Sequence, residues 1–298
     1  MTAPSRPLQA ILWMIATGLC FIAVTAVVKH GAQDLPAAVS AFLRYLLGLV
    51  FLIPVARTLL AAPMSARDLG LFGLRGLVHA LSVILWFFAM TQIPLAEVTA
   101  MNYLNPVYVT LGAALFLGEK LALRRILAVV AALVGVLVIL RPGFREVETG
   151  HLAMLFTAMG FGASYLLAKP LAGRHSASMV VGMLSVMVTI GLAPFAIAVW
   201  VTPSLAELGW LFLVALFATA GHYAMTRAFA AAPVSVTQPV TFLQMVWAVL
   251  LGWALFDEPP DAFVILGAAI IISAVSFIAW REARLRRAVT PNPMATKH

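Results

Sequence analysis

The second half of this chain repeats the first. A shift of 140 places Leu12, Met14, Thr17, Phe21, Ala23, Lys29 and Pro54 on Leu152, Met154, Thr157, Phe161, Ala163, Lys169 and Pro194. A shift of 139 places Leu69, Gly70, Pro94 and Glu119 on Leu208, Gly209, Pro233 and Glu258, and a single-residue gap near residue 60 reconciles the two. Each copy holds five apolar segments. Five is odd, so two copies lying in one membrane must enter it from opposite sides. Inverted repeats of this kind put a binding site where they meet, near the bilayer midplane.

Composition makes the membrane the required solvent. Hydrophobic residues are 63% of the 298 and charged residues 10%, with a mean hydropathy of +1.03. A soluble domain carries about 45–50% apolar and about 25% charged residues, so no soluble core could bury this much apolar surface. The net charge of +8 does not point to nucleic acid, because the basic residues gather at the ends of apolar segments, where they set orientation. Cys20 is the single cysteine and cannot form an intrachain disulfide. About 20 apolar residues cross a bilayer as a helix. That length predicts spans at 8–28, 37–56, 69–90, 98–117, 123–140, 152–168, 179–200, 208–229, 236–256 and 263–280.

The expected fold is therefore an all-α membrane protein. Ten transmembrane helices form two inverted five-helix repeats, 8–140 and 148–280, around a central cavity, with a basic cytoplasmic tail at 281–298. With the N-terminus inside, fifteen Lys and Arg fall on the inner side, and only Lys29, Arg141 and Arg145 on the outer. This asymmetry puts both termini in the cytoplasm. The first span is too long for the roughly 7–15-residue core of a secretory signal peptide, and removing it would spoil the repeat.

Polar residues inside spans are functional candidates by default, although hydrogen bonding between helices is a common use. Asn105 and Gln244 stand at matching repeat positions in the fourth helix of each copy, flanked by Asn102, Tyr103 and Tyr108 on one side and Thr241, Phe242 and Trp247 on the other. Amides both donate and accept, which suits a zwitterion or a neutral polar group. His79 and Trp86 lie seven apart on one face of the third helix, and His222 with Tyr223 on the eighth. The two histidines are not repeat equivalents. Asn102, Asn105, Gln244 and Trp247 are the first candidates for substrate contact, followed by His79, Trp86, Tyr103 and His222. Arg44 is the costliest intramembrane residue. It is expected to snorkel toward the outer surface, the alternative being a cation for a substrate carboxylate. Gly70, Gly73 and Gly76 are read as a close-approach face.

No Asp or Glu lies deep in a span; Glu97, Glu119, Asp257, Glu258 and Asp261 sit near helix ends. Glu119 and Glu258 are expected to meet the positive N-terminus of the fifth helix of each copy. No phosphate loop, metal-ligand cluster or nucleotide motif occurs, so no cofactor or metal is expected. Coupling to a proton gradient is expected to be weak, since no buried carboxylate can carry the proton.

The repeated pattern around Pro94–Glu119 and Pro233–Glu258, with the two five-span copies, resembles the drug/metabolite transporter superfamily, and within it the EamA type. The resemblance covers nearly the whole chain and implies a basket of helices one to four and six to nine around a central cavity, the fifth and tenth being peripheral. A membrane Glu carried by small four-helix multidrug relatives has no counterpart in the first helix, which offers only Thr17 and Thr25. Bacterial inner-membrane exporters of aromatic amino acids are similar in length and in their acid-free core. The resemblance thus implies an alternating-access permease, active as a single chain, that exports neutral, aromatic or hydrophobic amino acids and related metabolites. The alternatives are another metabolite class (purines, sugar-nucleotide-like solutes) or an integral-membrane enzyme on lipid-linked substrates, for which the loops are too short. Reporter fusions after Arg145 are expected to read outside and those after Lys120 or Arg174 inside. A cytoplasmic reading after Arg145 would sink the topology.

Overall fold

A computed structural model describes residues 6–61, 64–117, 123–144, 146–232 and 234–289, and the elements among them are helices. In chain order they are α1 (Pro7–Gly31), then α2 (Ala37–Gly48), which continues through a 3-10 segment (Leu49–Val55) containing Pro54 into α3 (Ala56–Ala61). Next come α4 (Ala66–Gln92), α5 (Leu95–Asn102), α6 (Asn105–Leu117) and α7 (Leu123–Leu140). The second half holds α8 (Thr149–Ala172), α9 (Ala177–Ala198), α10 (Leu205–Ala231), α11 (Val234–Thr241), α12 (Leu243–Phe256) and α13 (Ala262–Val289). Hydrocarbon offers no partner for backbone N–H and C=O groups, so the apolar runs close their hydrogen bonds within helices. Polar loop residues set where helices start. Ser65 Oγ accepts from Asp68 N–H (3.1 Å) and Ser176 Oγ from Met179 N–H (3.3 Å). Ser204 with Glu207, and Glu148 with His151, form capping boxes for α10 and α8.

Nine helical segments among the described residues are long and apolar enough to cross a membrane. The tenth expected span, 98–117, is split into α5 and α6, neither of which is long enough alone. The cause is local. Pro106 has no N–H to give to the Asn102 carbonyl and its ring crowds that position, so the chain passes Tyr103 and Leu104 in a tight turn. Their N–H groups bond Ala100 O (3.2 Å) and Met101 O (3.1 Å). The span expected at 236–256 breaks at the equivalent place, Phe242, whose N–H bonds Pro239 O at 3.3 Å. Helix α13 runs through Val289, so residues 281–289, expected as tail, continue the last helix. Glu119, Lys120, Arg145, Pro233 and residues 290–298 lie outside the described residues.

Packing between halves comes in exchanged pairs. Helix α1 packs on α10 and α4 on α8; α2 packs on α10 and α4 on α9; α7 packs on α13. Two glycines face each other in the last pair: a Cβ on Gly135 would lie 2.8 Å from Gly267 O, and one on Gly267 2.5 Å from Gly135 O. The C-terminal end of α1 and the N-terminal end of α8 meet the same turn, since Lys29 Nζ donates to Ile93 O (2.9 Å) and Gly150 abuts Gln92 and Ile93.

That end of the bundle is laced by charge. Lys29 pairs with Glu258, Arg141 with Asp261, and the buried Glu97 with the buried His151. Glu258 meets a helix N-terminus as expected, but a different one: its carboxylate accepts from Leu95 N–H (2.9 Å) at the start of α5. Asp261 occupies the start of α13, accepting from Phe263 N–H at 2.8 Å. The left-handed turn at Asp257 (φ 53°) folds Glu258 back over Gly252, where a Cβ would meet its carboxylate at 2.5 Å. A cavity of about 630 Å³ opens beside this lacing, between Pro94–Glu97, Gly252 and Asp257–Val264.

The glycine face of α4 is narrower than the sequence suggests. Only Gly76 packs closely, on Met187, whereas a Cβ on Gly70 or Gly73 would meet nothing within 4 Å. Gly76→Ala is expected to lower the thermal midpoint in detergent, since overpacking costs about 1–3 kcal/mol. Gly70→Ala and Gly73→Ala are expected to hold or raise it, because alanine gains up to about 1 kcal/mol of helix propensity over glycine. A fall of equal size in all three would refute this packing.

Candidate functional site

The candidate residues fall into two groups that share α8 and α1 as walls. The first group sits at the helix breaks. Asn105 Nδ2 donates to Asn102 Oδ1 at 3.0 Å, while Asn105 Oδ1 is buried and accepts from no described residue. Tyr103 reaches across to the other break: its hydroxyl donates to Thr241 O (3.4 Å) and its ring stands edge-on to Phe242, centroids 5.4 Å apart. Tyr103 and Phe242 are repeat equivalents at the 139 shift, so the two breaks touch through matching positions. Asn105 and Gln244 do not bond each other. Gln244 lies against Gly18 of α1, 4.0 Å from where a Cβ would stand. Trp247 is half-buried beside Ile22, Ala26 and Leu95, its indole N–H buried without an acceptor among the described residues.

The second group surrounds the middle of α4. His79 Nδ1 meets Ser164 Oγ at 3.1 Å and its ring lies 4.7 Å from that of Phe161. Trp86 stands edge-on to the same Phe161 at 6.1 Å, and its buried indole N–H likewise has no acceptor. On the other side, His222 Nδ1 donates to Ala218 O (2.7 Å) and its ring meets Phe21 at 5.0 Å. Phe21 and Phe161 are equivalents at the 140 shift. The two histidines, unrelated by sequence register, thus meet the same aromatic position of each half. The sequence hid this correspondence because position 218, the counterpart of His79, is an alanine, and the histidine sits one helical turn further on.

Gly162 links the groups. It follows Phe161 on α8, and a Cβ there would lie 2.9 Å from the Tyr108 Cβ and 3.4 Å from Asn105 O. Tyr165, three residues further along α8, is 53% exposed and lies within electrostatic range of Arg75 and Tyr45.

Two arginines stand among these residues. Arg44 is half-buried. Its guanidinium lies over the ring of Tyr45 (4.0 Å) and within electrostatic range of His79 and His222. Arg75, counted with the flanking inner-side charges, is a buried residue at 5% exposure, ten residues into α4. Position 75 falls inside the expected span 69–90, so counting it as a flanking charge overlooked a residue that the fold buries against α9, where it donates to Val180 O. Tyr45, Phe21, Phe161 and Ser164 were also missed as site residues; only the repeat equivalence of the two phenylalanines marked any of them.

With this geometry in place, the relationships of the chain can be stated. Residues 8–141 and 148–280 each match the EamA-like transporter family, and the chain belongs to that family. It is 31% identical to a riboflavin transporter of Rhizobium johnstonii over 95% of both chains. It is 26% identical to a pseudopaline exporter of Pseudomonas aeruginosa over 89% of this chain and 94% of that one. A crystal structure shares the fold, with a TM-score of 0.55 at 20% identity over 93% of this chain and 99% of the other. The chain is thus a multi-pass membrane transporter of the drug/metabolite class, acting on small molecules.

Asn105→Leu and Gln244→Leu are expected to leave the thermal midpoint near that of the parent while cutting transport at least about tenfold, as lost polar contacts to a desolvated ligand do. Tyr103→Ala, which removes the contact between the breaks, is expected to lower the midpoint first. Early unfolding of both amide variants with a normal rate in the surviving protein would make them scaffold.

Proposed function

We propose that this protein is an inner-membrane permease of a bacterium that carries a flat aromatic metabolite with polar edges, of the flavin kind, by alternating access of two inverted five-helix halves. The observation that carries the reading is the set of buried polar atoms that find no partner among the described residues. The indole N–H groups of Trp86 and Trp247 and the Oδ1 of Asn105 are two donors and one acceptor, Trp86 standing edge-on to Phe161 in one group and Asn105 and Trp247 belonging to the group of helix breaks that also holds the Tyr103–Phe242 ring pair. Buried polar groups are nearly always paired, and a heteroaromatic ring offers both ring faces for stacking and edge atoms for such groups. The riboflavin transporter relative agrees with that chemistry.

Several features support the inverted arrangement. The C-terminal end of α1 and the N-terminal end of its repeat counterpart α8 meet one turn, which antiparallel copies require. The exchanged helix pairs and the contact between the two breaks fit a pseudo-twofold axis in the membrane plane. Helices α5 and α6 together serve as the tenth pass, residues 95–117 being about 34 Å long at helical rise. Both termini are cytoplasmic by the charge asymmetry, and a single chain suffices. Broken helices at the midplane are tolerated where they line a cavity.

A second reading, export of aromatic amino acids, is favoured by the amides of Asn102, Asn105 and Gln244, which can hold an ammonium and a carboxylate. Proteoliposomes holding the purified chain separate the two. Riboflavin is expected to exchange in counterflow, and Trp86→Phe and Trp247→Phe, which keep the ring but delete the donor, are expected to raise KM several-fold, about the cost of one hydrogen bond to a buried partner. Counterflow of tryptophan without riboflavin would select the second reading.

A further inference from the structure

We propose that Arg44 and Arg75 form an anion-recognition subsite, so that the transported molecule carries an acidic group, a carboxylate or a phosphate monoester, beside its ring. The inference rests on the preceding reading only in taking the space between α2, α4 and α8 as the transport cavity.

Four observations converge on it. Arg75 is buried at 5% exposure, and while its Nη1 donates to Val180 O (3.0 Å), its Nε is buried with no acceptor among the described residues. Arg44 stands over Tyr45, and both arginines lie within electrostatic range of His79. Neither has a carboxylate partner among the described residues. The acidic groups whose pairing the structure shows, Asp68, Glu97, Glu258 and Asp261, are engaged at the helix ends with Arg174, His151, Lys29 and Arg141. Tyr45 and Tyr165 both lie within electrostatic range of Arg75.

Two guanidinium groups that both act on His79 and have no carboxylate partner among the described residues are costly in a membrane interior, and intramembrane cations ordinarily pair or mark a ligand path. The surroundings add His79 and His222 but no negative charge, so a bound anion is what completes the cluster. Arg suits it better than Lys, because its planar fork holds carboxylate or phosphate oxygens in pairs. The place is also right. Arg75 and His79 are one turn apart on α4, and His79 shares Phe161 with Trp86. An acidic group at the arginines therefore leaves a ring against Phe161 and Trp86.

The test uses the full detergent-purified chain in thermal-shift titrations with matched pairs: benzoate and benzamide, phenyl phosphate and phenol, flavin mononucleotide and riboflavin. The anionic member of the carboxylate pair or of the phosphate pairs is expected to bind at least about tenfold more tightly than its neutral partner. Preference in one chemistry alone identifies which acid the substrate carries. Arg44→Gln and Arg75→Gln, judged folded by their elution profile, are expected to shrink the ratio to under about threefold. If Arg75→Gln does not fold, Arg75→Lys keeps the charge and a donor for Val180, and is expected to weaken anion binding because an ammonium lacks the fork. Equal binding within every pair, no binding at all, or a ratio that survives in Arg44→Gln and Arg75→Lys would overturn the subsite. Anion preference without riboflavin counterflow would remove the flavin reading and leave the subsite standing. Riboflavin counterflow without anion preference would remove the subsite alone.

Discussion

The structure depends on one constraint: in hydrocarbon, every backbone N–H and C=O must find a partner inside the protein. This is why the described elements are helices, and why the exceptions are informative. The chain leaves helical geometry at Tyr103–Leu104 and at Phe242, and at both places the break is covered by protein. Tyr103 lies against Phe242 and donates to Thr241 O. An irregular turn that lipid would penalise is stable there because the opposite half supplies its surroundings. The first of these turns lies between Asn102 and Asn105, whose amides hydrogen-bond across it.

Charge follows the same economy. The paired carboxylates lie at helix ends, where Lys29, Arg141, His151 and Arg174 meet them. Glu258 joins three segments, accepting from the start of α5, pairing with Lys29 of α1 and resting on Gly252 of α12. It thereby ties the second half to the first at one end of the bundle. With the acids spent at the ends, the cations left in the middle, Arg44 and Arg75, have no internal counter-charge among the described residues. That separation gives the interior its positive character.

Much of this was legible in the chain. The repeat, the membrane class, nine of the ten expected spans among the described residues and the family all follow from apolar periodicity and repeated Pro–Glu spacing, because lipid imposes one length on every crossing and a duplication copies its pattern. Of the candidate site residues, Trp86, Trp247 and Asn105 carry buried polar atoms without partners. They were legible because a polar group in a long apolar run is conspicuous.

What only the tertiary structure decided is which groups meet. Arg75 reads as a flanking charge until the packing of α4 on α9 is seen to bury it against Val180. That the Arg44 guanidinium lies over the ring of Tyr45 is likewise seen only in the folded chain. His79 and His222 are unrelated in register, yet each finds the equivalent phenylalanine, because a one-turn offset along a helix is invisible to residue-by-residue alignment but keeps a side chain on the same face. Glu258 caps α5 rather than the helix that follows it, since a left-handed turn at Asp257 reverses its direction. Sequence period fixes which residues enter the membrane; the packing of one half on the other fixes which of them face each other, and a contact between distant segments leaves no local signature in either.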